Sequence, residues 1–191
     1  YEVGHNGTVL HGSIMNYLEE GAVQASNRAG YNDDWFEQHG YLWLVRKWFV
    51  HYLKPIYLND ILTLQTWISD FRRVQSHREY VLLRGDEMVV RARANWVFIH
   101  RDTMRPARLL SEFEVNYGPI PDEPLEPIRT KLAEVTSVQA VLYQFPYEVR
   151  YEEIDRAKHV NNAHYVRWVE NNIMQILRSC GLNLLDIVIE S

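Results

Sequence analysis

The sequence predicts an α+β protein in which an antiparallel sheet covers a long helix, followed by the start of a second copy of that unit. Three observations predict this fold class. Apolar residues recur at helical spacing between residues 14 and 29, and four strand-like runs follow them. The order of strand, polar turn and helix then recurs near the end of the chain.

The first helix is predicted from Ser13 to about Ala29, because Gly30 suits the position just after a helix. The side chains on its inner face become smaller toward the C-terminal half of the helix. This apolar stripe comprises Ile14, Leu18, Gly21, Ala22, Ala25 and Ala29. Small side chains let a helix lie close to a curved sheet. We therefore expect a sheet, and not other helices, to cover this one.

Four runs of the sequence predict antiparallel strands: residues 41–53, 61–71, 76–84 and a run that includes 90–98. Gly85-Asp86, between the third and fourth runs, is a hairpin signal. The fourth run has the clearest alternation, and one of its faces comprises Val90, Ala92, Ala94, Trp96 and Phe98.

The chain divides by composition into a first domain at 1–118, a proline-rich linker at 119–144 and the start of a second domain at 145–191. The opening pattern recurs in the second domain, where Tyr151-Glu152 corresponds to Tyr1-Glu2 and Glu170 to Glu20. A strand is expected at 145–154. A helix should follow, with the apolar stripe Tyr165, Trp168, Val169, Ile173, Ile176 and Leu177. The second domain is too short to complete a sheet, so either the chain is a fragment, which we favour, or another chain supplies the missing surface.

Composition excludes several classes of protein. A formal net charge of −5 and a pI of about 5.9 weigh against a nucleic-acid partner, which requires a basic surface. The chain contains no apolar run long enough to predict a membrane span. Its single cysteine, Cys180, precludes an internal disulfide and favours a reducing, cytoplasmic location. We expect Cys180 to be a core residue.

The polar turn at residues 155–162 carries the chemistry most indicative of function. Asp155 could activate water or attack a carbonyl, and His159 could transfer the proton. Asn161 and Asn162 stand where the helix begins, and free backbone N–H groups there could hold an oxyanion. The alternative is structural: Asp155 caps the turn, His159 lies at the surface, and one asparagine caps the helix.

Other kinds of site have less support. His159, His164 and Asp155 lack a third strong ligand at suitable spacing, so we expect no metal and no cofactor. The serine-hydrolase elbow and the glycine-rich dinucleotide fingerprint are both absent from the sequence. Glu170 could serve the turn, but an exposed helix glutamate is the commoner situation.

Three stretches of the sequence resemble the tandem-hotdog acyl-acyl-carrier-protein thioesterases, in which each sheet wraps a central helix. These stretches are 1–30, then 96–108 with Asp102-Thr103-Met104-Arg105-Pro106, and 151–170. The most specific segment is His159-Val160-Asn161-Asn162, followed by Tyr165 and Trp168. The family carries its catalytic groups on an Asp-x-Asn-x-His turn. The resemblance therefore implies roles for Asp155 and His159, whereas Ala157 replaces the family's asparagine. A glutamate and often a cysteine would follow on a strand beyond Ser191.

The resemblance implies hydrolysis of the thioester of acyl-acyl carrier protein, which releases free fatty acid. An acyl-CoA thioesterase, a non-catalytic acyl-binding hotdog protein and a hotdog dehydratase are the alternatives. In the first unit His5 aligns with Asp155, so that unit lacks the carboxylate. It is expected to shape the acyl pocket with Trp43, Trp48 and Phe49. Two hotdog units would form an internal pseudo-dimer, which leaves both a monomer and a homo-oligomer open.

Arginines are concentrated in the later strands of the first unit: Arg72, Arg73, Arg78, Arg91, Arg93, Arg101, Arg105 and Arg108. They could form a patch that attracts an acidic carrier protein or the phosphates of CoA. Solvated outer faces of strands would give the same pattern, and the sequence does not choose between the two.

Overall fold

The computed structural model describes residues 2–4, 6–119, 143–155 and 157–182. Contacts group the chain into two compact units, one formed by Tyr17–Thr130 and the other by Tyr1–Asn16 with Lys131–Ser191. The described helices are α1 His11–Arg28, α2 Asp33–His39, α3 Phe113–Asn116 and α4 Asn162–Ser179. The strands are β1 Tyr41–Tyr52, β2 Leu62–Arg72, β3 Gln75–Arg84 and β4 Glu87–His100.

All four strands predicted for the first unit are present and form one antiparallel sheet in the order β1-β4-β3-β2. The predicted turn between β3 and β4 is also confirmed, and Gly85 there has a φ of 59°. The predicted α+β class is therefore correct.

Helix α1 confirms the predicted helix, beginning two residues earlier than Ser13 and ending just before the predicted stop at Gly30. Its stripe is buried at Ile14, Leu18 and Ala22. A β-carbon added to Gly21 would lie 2.1 Å from Cδ2 of Leu64 on β2. The helix approaches the sheet closely at this point because the residue has no side chain, as the small-residue stripe predicts.

An aromatic core lies at one end of the sheet, where Tyr31, Phe36, Phe98 and Phe113 are buried together. Trp43 packs against it, with its ring 5.0 Å from that of Phe98. Trp48 packs on the fully buried Tyr80, at a ring distance of 5.1 Å. These tryptophans have structural partners in the described residues, and their proposed role in shaping an acyl pocket stays a prediction.

Helix α2 was not predicted. Its start is capped by Asn32, whose side-chain oxygen accepts the N–H of Trp35 at 2.9 Å, and its end by Gly40 with a φ of 71°. Asn32 and Gly40, which are typical residues at the start and the end of a helix, were the signals in the sequence that could have predicted it. The helix is only seven residues long, too short for apolar periodicity to reveal it.

The predicted strand over residues 145–154 is wrong. Residues 143–150 are irregular, Tyr151–Glu153 form a 3-10 turn, and Ile154 makes only an isolated bridge, to Val160. Within the described residues no strand pairs with this segment, and the carboxylate of Glu153, which accepts the backbone N–H of Arg150 at 2.8 Å, closes a turn at its end.

Helix α4 confirms the second predicted helix. Trp168 and Leu177 of its apolar stripe are partly buried, whereas Tyr165, Val169 and Ile173 are 52%, 57% and 49% exposed. The described residues thus cover this stripe only in part. Within the described chain, α4 and the other helices are too short or too polar to cross a membrane.

The domain boundaries proposed at residues 118 and 144 stay a prediction. Most of the proposed linker, residues 120–142, lies outside the described residues.

Candidate functional site

Residues 153–155 and 157–161 form the two sides of a short hairpin, called the 153–161 hairpin, that leads directly into α4. The N–H of Asn161 donates to the carbonyl of Glu153 at 2.9 Å, and the N–H of Asp155 donates to the carbonyl of His159 at 2.8 Å. Lys158 adopts a φ of 61°, which closes the turn between them. The 153–161 hairpin therefore holds Asp155 and His159 opposite each other at its tip.

Asp155 and His159 are joined through the backbone of the histidine. The Asp155 carboxylate accepts the N–H of His159 at 3.1 Å. Asp155 is half-buried and His159 is exposed, and no ion pair joins their two side chains within the described residues. The capping role considered for Asp155 is thus present, and catalytic roles for the pair stay predictions.

Asn161 is the N-cap of α4, as the structural alternative anticipated. Its side-chain oxygen accepts the N–H of Ala163 at 2.8 Å. Asn162 is the first residue of the helix. The two asparagines therefore lie at a helix N-terminus next to the hairpin, where backbone N–H groups and the helix dipole favour negative charge.

Glu153, at the base of the hairpin, is a residue that sequence reasoning missed. It is 4% exposed, and its carboxylate accepts hydrogen bonds from Tyr147 Oη at 2.6 Å and Trp168 Nε1 at 3.3 Å in addition to Arg150 N. Burial raises the pKa of Glu153, but these hydrogen bonds outweigh it and hold the pKa below its usual value. Nothing in the sequence pattern marks this glutamate as buried, because two of its donors come from a segment without periodicity and the third, Trp168, lies 15 residues further along the chain.

His164, on the first turn of α4, lies beside this buried carboxylate. Its Nδ1 is 3.5 Å from Oε1 of Glu153. Burial and then the charge of Arg167 lower the pKa of His164, against the opposing effect of Glu153 and Glu152. The structure thus assigns His164 to the Glu153 cluster, whereas the sequence had suggested it only as a weak metal ligand.

The carboxylate of Glu170 is hydrogen-bonded to the first residues of α1. It accepts the backbone N–H groups of His11 at 2.8 Å and Gly12 at 3.2 Å, and it lies 2.9 Å from Nδ1 of His11. Burial raises the pKa of Glu170, yet the hydrogen bonds from His11 and Gly12 outweigh it and lower the pKa. Glu170 therefore caps the start of α1 and does not serve the 153–161 hairpin.

Two expectations about other residues are corrected. Cys180 is exposed at the C-terminal cap of α4, with Sγ 3.6 Å from Tyr143 Oη, and is not a core residue. Arg78 and Arg93 do not belong to a surface patch: Arg78 is 6% exposed and contacts the ring of Tyr117, and Arg93 pairs with the buried Glu79. Of the arginines considered, Arg72, Arg73, Arg105 and Arg108 are exposed, and Arg72 pairs with Asp70.

Comparison with protein families finds two successive matches, separated by residues 118–137. The model of the acyl-ACP thioesterase N-terminal domain matches residues 1–117. That of the acyl-ACP thioesterase C-terminal domain matches residues 138–188. The second match contains both the 153–161 hairpin and α4.

Similar proteins carry the same description. The chain is 26% identical to oleoyl-acyl carrier protein thioesterase 2, chloroplastic, of Arabidopsis thaliana, with 92% of this chain and 52% of the relative covered. It is 25% identical to a palmitoyl-acyl carrier protein thioesterase, chloroplastic, of Cuphea hookeriana, with 96% and 48% covered. The chain spans about half the length of these curated relatives.

Solved structures share the fold. An acyl-ACP thioesterase from Bacteroides thetaiotaomicron is 26% identical with a TM-score of 0.74, over 89% of this chain and 68% of that one. The 12:0-ACP thioesterase from Umbellularia californica is 21% identical with a TM-score of 0.69, over 94% and 73%. At this lower identity the likeness supports the fold alone.

Proposed function

Because the chain belongs to the acyl-ACP thioesterase family, we propose that the protein it represents hydrolyses the thioester of acyl-acyl carrier protein and releases free fatty acid. The observation that carries the proposal is the 153–161 hairpin. It holds Asp155 and His159 next to each other just before the N-terminus of α4. This hairpin lies inside the segment that matches the C-terminal domain of the family.

The proposed mechanism uses water as the nucleophile. His159 accepts a proton from the water while Asp155 orients the water, and the new C–O bond forms at the thioester carbonyl. The positive end of the α4 helix dipole, beside Asn161 and Asn162, stabilises the oxyanion electrostatically. The C–S bond then breaks, and the leaving thiolate takes the proton from His159. Direct attack by Asp155 through a covalent anhydride is the variant that uses the same residues.

The substrate is tested by incubating the purified protein with matched acyl-acyl carrier protein and acyl-CoA of the same chain length. We expect faster fatty-acid release from the carrier protein. The exposed arginines Arg73, Arg105 and Arg108 suit an acidic partner. Equal rates on the two substrates would contradict the preference for the carrier protein and support an acyl-CoA thioesterase.

A non-catalytic acyl-binding protein is the second candidate, and two observations favour it. Ala157 stands where the family's turn carries asparagine, and the Asp155 carboxylate is engaged by the N–H of His159. Such a protein would bind acyl-acyl carrier protein without turnover. Saturable binding with no release of fatty acid would support this candidate.

We also propose a cytoplasmic location, on the ground that the chain carries a single cysteine. The plant relatives are described as chloroplastic, so their names do not support this location. Fractionation of the source cells tests it, and enrichment with a membrane or organelle fraction would contradict it.

A further inference from the structure

We propose that Glu153 is a positioning residue, whose buried carboxylate anchors the 153–161 hairpin to α4 and so sets the placement of Asp155 and His159. The inference rests on the proposed function for its catalytic consequence, but its structural part stands on contacts alone. Glu153 is two residues from Asp155. Its own carbonyl accepts one of the main-chain hydrogen bonds that close the hairpin, from the N–H of Asn161 at 2.9 Å.

The carboxylate gathers donors from three separate places. Tyr147 comes from the irregular segment before the hairpin, the N–H of Arg150 from the start of the 3-10 turn, and Trp168 from the second turn of α4. Tyr147 and Trp168 also pack on each other, with ring centroids 4.2 Å apart. A single side chain thus ties the segment before the hairpin and the helix after it to the base of the hairpin.

The chemistry requires an ionised carboxylate at this position. A hydroxyl, a backbone N–H and an indole N–H all donate to its two oxygens, and an ionised carboxylate only accepts. A glutamine would place an NH₂ donor against at least one of these donors inside a buried site. The anchor is therefore specific for Glu153, whereas the neighbouring Glu152, whose side chain is 75% exposed, has no such environment.

The test compares Glu153→Gln with Glu152→Gln as the matched control. Amide hydrogen exchange, followed by NMR, should be about 10-fold faster at the N–H groups of His159 and Asn161 in Glu153→Gln, because the hydrogen bonds of the hairpin loosen. The amide of Phe98, in β4, should be unchanged. Turnover of acyl-acyl carrier protein should fall by about 10-fold or more with KM within about twofold, since misplaced groups slow the chemical step. Glu152→Gln should change none of these quantities.

Tyr147→Phe and Trp168→Phe keep the test decisive if Glu153→Gln does not fold. Each removes one donor and leaves the carboxylate in place, so a smaller acceleration of the same two amides is expected. Unchanged exchange at His159 and Asn161 in these variants would overturn the proposal, as would faster exchange with unchanged kcat in an active enzyme. Faster exchange in a protein whose wild type releases no fatty acid would instead support the anchor and overturn the proposed function.

Discussion

Three carboxylates near the start of α4 have different roles, and their neighbours decide which. Asp155 accepts one backbone N–H at the tip of the hairpin, Glu153 is buried among three donors, and Glu170 caps the start of α1. The residue type alone did not distinguish them. The sequence identified Asp155 through its place in a motif. It could not reveal Glu153, because the donors that offset its burial lie in an irregular segment and on α4, and no periodic pattern links them to this position.

The lowered pKa values of Glu153 and Glu170 predict a loss of stability in acid. For a carboxyl whose folded pKa lies below its unfolded pKa of about 4.5, the stabilisation is present above that pH and is lost as the pH falls through the folded pKa. The free energy of unfolding, measured in urea between about pH 5.5 and pH 3, should therefore decrease on acidification. Glu153→Gln and Glu170→Gln should each flatten this dependence. A wild-type profile with no slope would contradict the prediction.

Gly12 and Gly21 of α1 should differ in their tolerance of alanine. A β-carbon at Gly12 would lie 2.3 Å from Cγ of Arg167 and 3.0 Å from the backbone oxygen of Ala163. Because backbone cannot move aside, Gly12→Ala should destabilise by about 1–3 kcal/mol. At Gly21 the obstacle is the tip of Leu64, which can rotate, and alanine also favours helix, so the loss should be smaller. Thermal unfolding checks both, and a larger loss at Gly21 would contradict this reasoning.

At the scale of elements, periodic sequence patterns predicted the strands and the long helices well. Features that depend on side-chain hydrogen bonds and packing at the ends of elements were not predicted. The four strands and α1 followed from alternation and helical spacing, which are local properties of the chain. The strand expected at 145–154 failed because no described strand pairs with it and because Glu153 closes a turn at its end by accepting the N–H of Arg150. Cys180 was misplaced because the end of α4 is exposed, a fact that depends on what packs there.

Asn161 lies between the 153–161 hairpin and α4, and two roles have been considered for it: capping the helix and contacting the substrate. A substitution can separate these two roles. Serine keeps a capping oxygen but lacks the amide, whereas alanine lacks both. If capping is the main role, Asn161→Ser should retain stability and turnover within about threefold, and Asn161→Ala should lose about 1 kcal/mol of stability. Chemical denaturation and fatty-acid release measure the two effects. Loss of turnover in Asn161→Ser at full stability would instead indicate direct contact with the substrate.

At the scale of the whole molecule, one unit contains the four strands found among the described residues, and the other contains the 153–161 hairpin and α4. Sequence resemblance identified the family and its fold correctly, because the motif around His159 is specific. The acyl chain length could not be predicted, since it depends on the depth of a pocket and not on a motif.

The most direct test of the central claim is the rate of fatty-acid release from acyl-acyl carrier protein by Asp155→Ala and His159→Ala, each compared with Glu152→Ala and with folding verified by circular dichroism. If these two residues perform the chemistry, each substitution should lower kcat by at least about 10²-fold, the lower range for a lost general base, while Glu152→Ala stays near the wild-type rate. Folded Asp155→Ala and His159→Ala proteins that release fatty acid at the wild-type rate would contradict the assignment of the 153–161 hairpin as the site of hydrolysis.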